Sequence, residues 1–235
     1  MRKPLLAASL AVLVIAGAWA QSGPTPLDTY LDNLKTLRAS FQEVLVDSHG
    51  KETDRSTGSI VVVRPGKLRW EVRPQTGQEA AAGDSNGKAG ATASTDTGDQ
   101  LLVVDGKNVW SYDRDLQQAS VKPVDAALSA TPAMLLSGTV DVRKNFTVSP
   151  AGKRDGLEWV LVEPKGAQAD FRRALFGFDT GAKGVEELKK LILDDKLGQT
   201  ATIVFQKVER NVPVSPDEVS FTPPAGVDVI GTARK

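Results

Sequence analysis

The chain has 235 residues, of which 29 are basic, 29 acidic, one histidine and none cysteine. Balanced charge offers no electrostatic footprint for nucleic acid or an anionic membrane, and the inventory excludes thiolate chemistry, disulfide staples and zinc sites built on several histidines. Ser-His triads lack their parts, the Gly-rich segments lack the Lys-Ser/Thr that completes a phosphate loop, and no spacing singles out a carboxylate pair, so no cofactor or enzymatic activity is expected.

At the N-terminus, Arg2 and Lys3 precede an apolar run from Leu5 to Ala18, and Ala18-Trp19-Ala20 has the small-x-small form of a cleavage site. Residues 1–20 therefore read as a secretory signal peptide. No later segment approaches the roughly 18 to 20 apolar residues of a membrane-spanning helix. Losing Arg2 and Lys3 leaves 27 basic against 29 acidic residues, a net charge of −2. The expectation is a soluble periplasmic protein with length enough for its own core. Without a cysteine, lipid cannot be attached at the cleavage site.

Thr25-Pro26 followed by Leu27, Tyr30, Leu31, Leu34 and Leu37 predicts an N-capped, proline-started amphipathic helix of about three turns. The period then changes to two, with Leu37, Ala39 and Phe41 alternating against Arg38, Ser40 and Gln42 into a first strand that continues through Val44 and Val46 across a bulge. His49 lies in the polar stretch Asp47–Lys51 and reads as an exposed turn residue rather than a catalytic base.

The next stretch organises the rest. Ser59–Val63 is a β-branched run ending at Arg64-Pro65-Gly66, after which Leu68, Trp70 and Val72 share one face and Lys67, Arg69, Glu71 and Arg73 the other. Two strands meet at that turn. An arginine closing an apolar strand either points into water or forms a polar latch at the rim of an apolar cavity, because a guanidinium stays charged and costs several kcal/mol to bury alone. Residues 75–99 contain no aromatic residue and no Leu, Ile or Val, and read as a disordered loop insertion.

Leu101–Val104, the Asp105-Gly106 turn and Lys107–Tyr112 give the strongest hairpin signal in the chain. A further strand runs from Gln117 to Val124. Val124–Leu128 and Thr131–Leu136 then interrupt the meander; the second piece, with a Thr N-cap, Pro at its first position and Gly138 as its stop, is a short helix apolar nearly all round. Such a helix must be buried or cover something apolar, and Met134 suits an adaptable surface.

Strands follow at Asn145–Ser149, Leu157–Glu163, Phe171–Asp179 and Ala201–Glu209, with Phe176 and Phe178 on one face. Val185–Leu193 has helical spacing and good helix formers, yet the turns around it favour a hairpin arm. The chain ends in two short extended pieces around Pro223-Pro224. About eleven or twelve strands and three short helical pieces fit a mainly β fold, one highly curved antiparallel sheet whose open side the helices cover. If side chains do not fill its concave face, that face is a cavity suited to hydrocarbon.

The segments Arg64–Trp70, Val104–Tyr112, Thr131–Leu136 and Phe221–Val227 resemble, in that order and spacing, the outer-membrane lipoprotein carrier protein family, LolA. The resemblance covers nearly all of residues 21–235 as a single domain. It implies an unclosed antiparallel β-barrel of about eleven strands with a lid of three short α-helices. It further implies a periplasmic chaperone that takes lipoproteins from the inner-membrane ABC transporter LolCDE to the outer-membrane receptor LolB. Arg64 matches the family's lid-holding arginine, and Leu68 stands where an aromatic cavity residue is common. The expected lipid-cavity lining is Val61, Val63, Leu68, Trp70 and Trp110 from the first strands, Ala133, Met134 and Leu136 from the apolar helix, and Phe176 and Phe178. The 75–99 insertion and the helical spacing of 185–193 depart from the family pattern. A lipid-sensing periplasmic regulator of the RseB type is the alternative, but it needs a second C-terminal domain, and a lipid hydrolase would need a nucleophile-base pair.

Overall fold

In the computed structural model the described residues are 23–75, 99–125, 132–139, 141–166, 169, 171–181 and 186–234. The predicted signal peptide, all of the 75–99 insertion but its two ends, and the 126–131 segment lie outside them. The first half runs α1 (Pro26–Asp32), β1 (Thr36–Val46), β2 (Glu52–Val63), β3 (Lys67–Pro74), β4 (Gln100–Asp105), β5 (Asn108–Asp113) and β6 (Gln118–Pro123). The second half runs α2 (Pro132–Ser137), α3 (Val142–Asn145), β7 (Phe146–Arg154), β8 (Leu157–Pro164), β9 (Phe171–Asp179), β10 (Glu187–Asp195), β11 (Thr200–Arg210), a 3-10 turn (Pro216–Val219) and β12 (Asp228–Gly231).

Among the described residues all the strands join one 12-stranded sheet in the order β12-β6-β5-β4-β3-β2-β1-β11-β10-β9-β8-β7. Two meanders meet where β1 pairs with β11, and β12 and β7 are the free edges, so the sheet curls without closing. Every pairing is antiparallel except that of β12 with β6, a parallel return made by the C-terminal segment. The segment from Val185 resolves as strand from Glu187 on, paired to β9 and β11. Two ladders of hydrogen bonds outweigh a modest helix propensity there.

α1 is shorter than predicted. Thr25 and Asp28 form a reciprocal capping box at its start, but Leu37 already belongs to β1. α3, capped by Asp141, and the 3-10 turn were not expected.

Register decides which residues face the helices. Leu37, Val62, Leu68 and Val104 stand opposite one another across β1 to β4, and Ala39, Ile60, Trp70 and Leu102 form the next row. These rows belong to the large inner core, which continues through Phe205, Leu191, Phe176 and Val160 on the other half of the sheet. The alternate row, Arg38, Val61, Arg69, Val103, Trp110 and Val121, faces outward. There a smaller apolar cluster, Leu101, Val103, Trp110, Tyr112, Ala119 and Val121, is covered by Phe221 and Val227 of the C-terminal segment.

Candidate functional site

The inner face is the candidate site because it is apolar and its cover consists of helices rather than strands. Leu27, Tyr30 and Leu31 of α1 and Leu135 and Leu136 of α2 are buried in the inner core. α1 rests on β8 and β9, α2 on β2 and β3, so each helix covers one half of the curled sheet. On the same face Phe41, Trp70 and Phe205, from β1, β3 and β11, form a ring cluster with centroids 4.4 to 6.5 Å apart. Gly58 makes room for it, since a Cβ there would lie 2.2 Å from the Phe41 ring. Tyr30 packs on Phe178 at 5.4 Å.

Arg64 sits at the seam between the two helices. Its Nη1 donates to the Leu31 carbonyl at the end of α1, at 2.9 Å. Its guanidinium also lies against Gly138, the residue that ends α2, where an added Cβ would come within 2.9 Å of Nε. Gly138 holds φ at +72°, so glycine serves both the left-handed turn and the close approach. The β2–β3 turn adds a main-chain bond, Gly66 N–H to Ser137 O at 2.8 Å. Burial lowers the Arg64 pKa and nearby Asp32 partly offsets that, but a guanidinium remains charged.

α1 has a second attachment at its other end. Arg143 of α3 donates to Asp28 through Nε at 3.0 Å and also through Nη2. Burial raises the Asp28 pKa, but the bonds from Arg143 and Thr25 outweigh it and hold the carboxyl below its ordinary value. At the opposite end of the inner face the apolar lining stops at Glu43, which faces Ser56 and Ile203.

The structure brings Leu68, Trp70, Leu136, Phe176 and Phe178 together in or against the inner core, and Met134 is buried on α2. The Ala133 side chain lies outside the described residues. Val61, Val63 and Trp110 stand on the outer face, a correction to the expected lining. The turn Arg64–Gly66 sets Val63 opposite Lys67, so Val62, not its neighbours, shares the face of Leu68. The β4–β5 turn likewise sets Trp110 opposite Val103, and its ring lies 5.5 Å from that of Phe221. Ile60, Val62, Phe41 and Phe205 are the inner residues that the pattern understated. Strict alternation from Leu68 back through the hairpin register would have found the first two. No local signal marks Asp28 and Arg143 as partners.

The described residues contain no helix long and apolar enough to cross a membrane. The family described as outer membrane lipoprotein carrier protein LolA matches residues 93–222 of this chain. An outer-membrane lipoprotein carrier protein of Dechloromonas aromatica is 37% identical over 225 residues, covering 95% of this chain and 92% of its own. One of Methylobacillus flagellatus is 31% identical over 231 residues, covering 98% of this chain and 100% of its own. A crystal structure of a LolA superfamily protein from Nitrosomonas europaea aligns with a TM-score of 0.44 at 7% identity, covering 83% of this chain and 96% of that one.

Proposed function

This chain belongs to the outer membrane lipoprotein carrier protein family, LolA, and we propose that it carries lipoproteins through the periplasm with their acyl chains held against the inner face of its sheet. The inner-membrane transporter LolCDE loads it and the outer-membrane receptor LolB unloads it. The observation that carries this reading is the seam at Arg64, where one guanidinium touches the ends of both helices that cover a continuous apolar surface.

Energetics favour such a device. Hiding one methylene from water is worth roughly 0.8 kcal/mol, so an acyl chain of about 15 carbons represents on the order of 12 kcal/mol. In the closed form Leu27, Tyr30, Leu31, Leu135 and Leu136 occupy the concave side. Acyl chains enter by displacing them. Loading therefore breaks the Arg64–Leu31 bond and lifts the helices, and their return favours release to the receptor. The residues that close the empty carrier are those that help to eject the cargo.

Arg64→Leu tests this. The variant is expected to accept lipoprotein from LolCDE-containing vesicles but to transfer it to LolB at least about tenfold less efficiently, since its lid no longer gains a bond on closing. Transfer at the normal rate refutes the latch. Failure of the wild-type protein to extract lipoprotein at all refutes the carrier.

A further inference from the structure

We propose that the inner side of β5 and β6 is the ledge by which the cargo's polypeptide leaves the apolar chamber, a docking surface for the extended polar segment that follows the lipid-bearing residue. The inference rests on the carrier reading above and adds a direction to it, with hydrocarbon toward β8 and peptide toward β6.

The sheet changes sides at β5. From β1 to β4 the inner rows are apolar and end at Val104 and Leu102. Register carries the first row on to Val109 and Lys122 and the second to Ser111 and Ser120. On these two strands the large apolar residues, Trp110, Tyr112, Ala119 and Val121, point the other way and are buried with Phe221 and Val227 packed against them. Val109 still packs against the inner core, but Ser111 and Lys122 are exposed and Ser120 is only partly buried.

The opposite wing of the same face is built in reverse. Phe146, Val148, Val160 and Val162 of β7 and β8 are buried in the inner core, and Phe146 stacks on Phe171 with centroids 6.0 Å apart. α1 rests on β8 and β9, and α2 on β2 and β3. When the helices lift, the β7–β8 wing presents hydrocarbon and the β5–β6 wing presents hydroxyls and an ammonium. An amphiphile on this face therefore has one favourable orientation, since peptide amides laid on the apolar wing would lose water and gain no partner.

The ledge has groups to spare. Among the described residues the side chains of Ser111, Ser120 and Lys122 make no hydrogen bond or ion pair. Asp113, farther along β5, is already engaged by the amides of Asp115 and Leu116 at 3.0 and 2.9 Å. Two hydroxyls directly opposite one another, with an ammonium one pleat away, suit the carbonyls and amides of an extended chain. Strand addition is not open to that chain, because β12 takes the far edge of β6. Contacts through a few side chains to main chain read no sequence, which fits a carrier of many polypeptides. Two strands give the ledge a width of about 10 Å, which an extended peptide crosses in about three residues.

The chain contains no cysteine, so a benzophenone can be placed at one position at a time through Ser111→Cys, Ser120→Cys or, on the opposite edge strand, Thr147→Cys. Ser111 and Thr147 are exposed, so neither substitution disturbs packing. Each labelled protein is loaded with a synthetic palmitoylated cysteinyl peptide bearing a polar tail and a terminal biotin, isolated by gel filtration and irradiated. Labels at Ser111 and Ser120 are expected to capture the peptide at least about tenfold more often than the label at Thr147. The captured residues should be the first few after the acylated cysteine, and excess palmitate should abolish capture. Equal yields at the three positions, or capture at Thr147 alone, overturn the ledge and leave the carrier intact. So does capture that survives palmitate, or no capture at any position from a complex that elutes intact. Failure of the unlabelled protein to elute with the lipopeptide overturns the carrier reading itself.

Discussion

The two faces of the same strands both carry apolar clusters, yet their covers are attached in different ways. On the outer face the C-terminal segment is stitched down by main chain. β12 pairs with β6, Asn108 grips the backbone of Arg234 with both ends of its amide at 2.7 and 3.1 Å, and Arg69 donates to Ser220 O at 3.2 Å. Arg38 adds a bond to Glu218 at 2.6 Å, and Phe221 lies 5.5 Å from both Trp110 and Tyr112. The helices on the inner face join no ladder. Among the described residues they are held by Arg64, by the Gly66–Ser137 main-chain bond, by the Asn211 amide on Asn33 O at 3.0 Å, by Asp28–Arg143 and by their own buried side chains. Lifting the outer cover dismantles an edge of the sheet, whereas lifting the inner cover leaves every strand pairing intact. The difference separates a structural cover from a movable one.

The largest effect expected from this contrast is on the outer face. Phe221→Ala removes the ring that seals Trp110 and Tyr112 and is expected to cost about 2 to 3 kcal/mol of global stability, read as a lower urea midpoint. Lipid uptake by the folded fraction should be unchanged. An unaltered midpoint combined with impaired transfer would make the outer cover a moving part and erase the distinction.

A smaller and more local effect is expected at the inner seam. Gly138→Ala forces a side chain into a left-handed position and against the Arg64 guanidinium, a strain of about 1 to 2 kcal/mol. Because the helices open without the sheet, amide exchange in α1 and α2 should quicken far more than exchange in β1 and β2. Equal acceleration everywhere would mean that lid and sheet unfold as one unit.

This division was only half legible in the sequence. The alternation around Leu68 and Trp70, the Asp105-Gly106 hairpin and the capped start of α1 are local signals, and the structure keeps all of them. Fold class followed from them. The face on which a valine of the run Ile60–Val63 lies depends on the register set by the Arg64–Gly66 turn, and a shift of one residue exchanges the faces. An unbroken β-branched run carries no alternation to fix that choice, which is why Val61 and Val63 were expected inside. Trp110, expected with the lining, stands outside for a different reason: a second apolar cluster receives it, built with residues more than a hundred positions away. Arg64 was visible as an oddity of charge. Its partners, a carbonyl and a glycine, have no side-chain signature to read.

The smallest effect concerns where the inner surface ends. Glu43 lies on the inner face opposite Ser56, whose hydroxyl donates to it at 3.4 Å, with Asp54 nearby. Burial raises its pKa, Ser56 offsets part of the rise, and the charge of Asp54 adds to it. The folded state therefore binds the proton more readily than the unfolded chain does. The sign follows from linkage: stability is greatest where Glu43 is protonated in both states and declines as pH rises from the ordinary carboxylate value through the raised one. Above that range the cost of ionising a buried carboxyl weighs against folding. Glu43→Gln is expected to raise the urea midpoint at pH 7 and to leave it nearly unchanged at pH 3, below both values. A gain of equal size at both pH values would show that packing, not charge, is what the substitution relieves. A gain confined to pH 7 would mark Glu43 as the polar floor of the inner face, a carboxylate whose desolvation limits how far hydrocarbon can penetrate from the lid end.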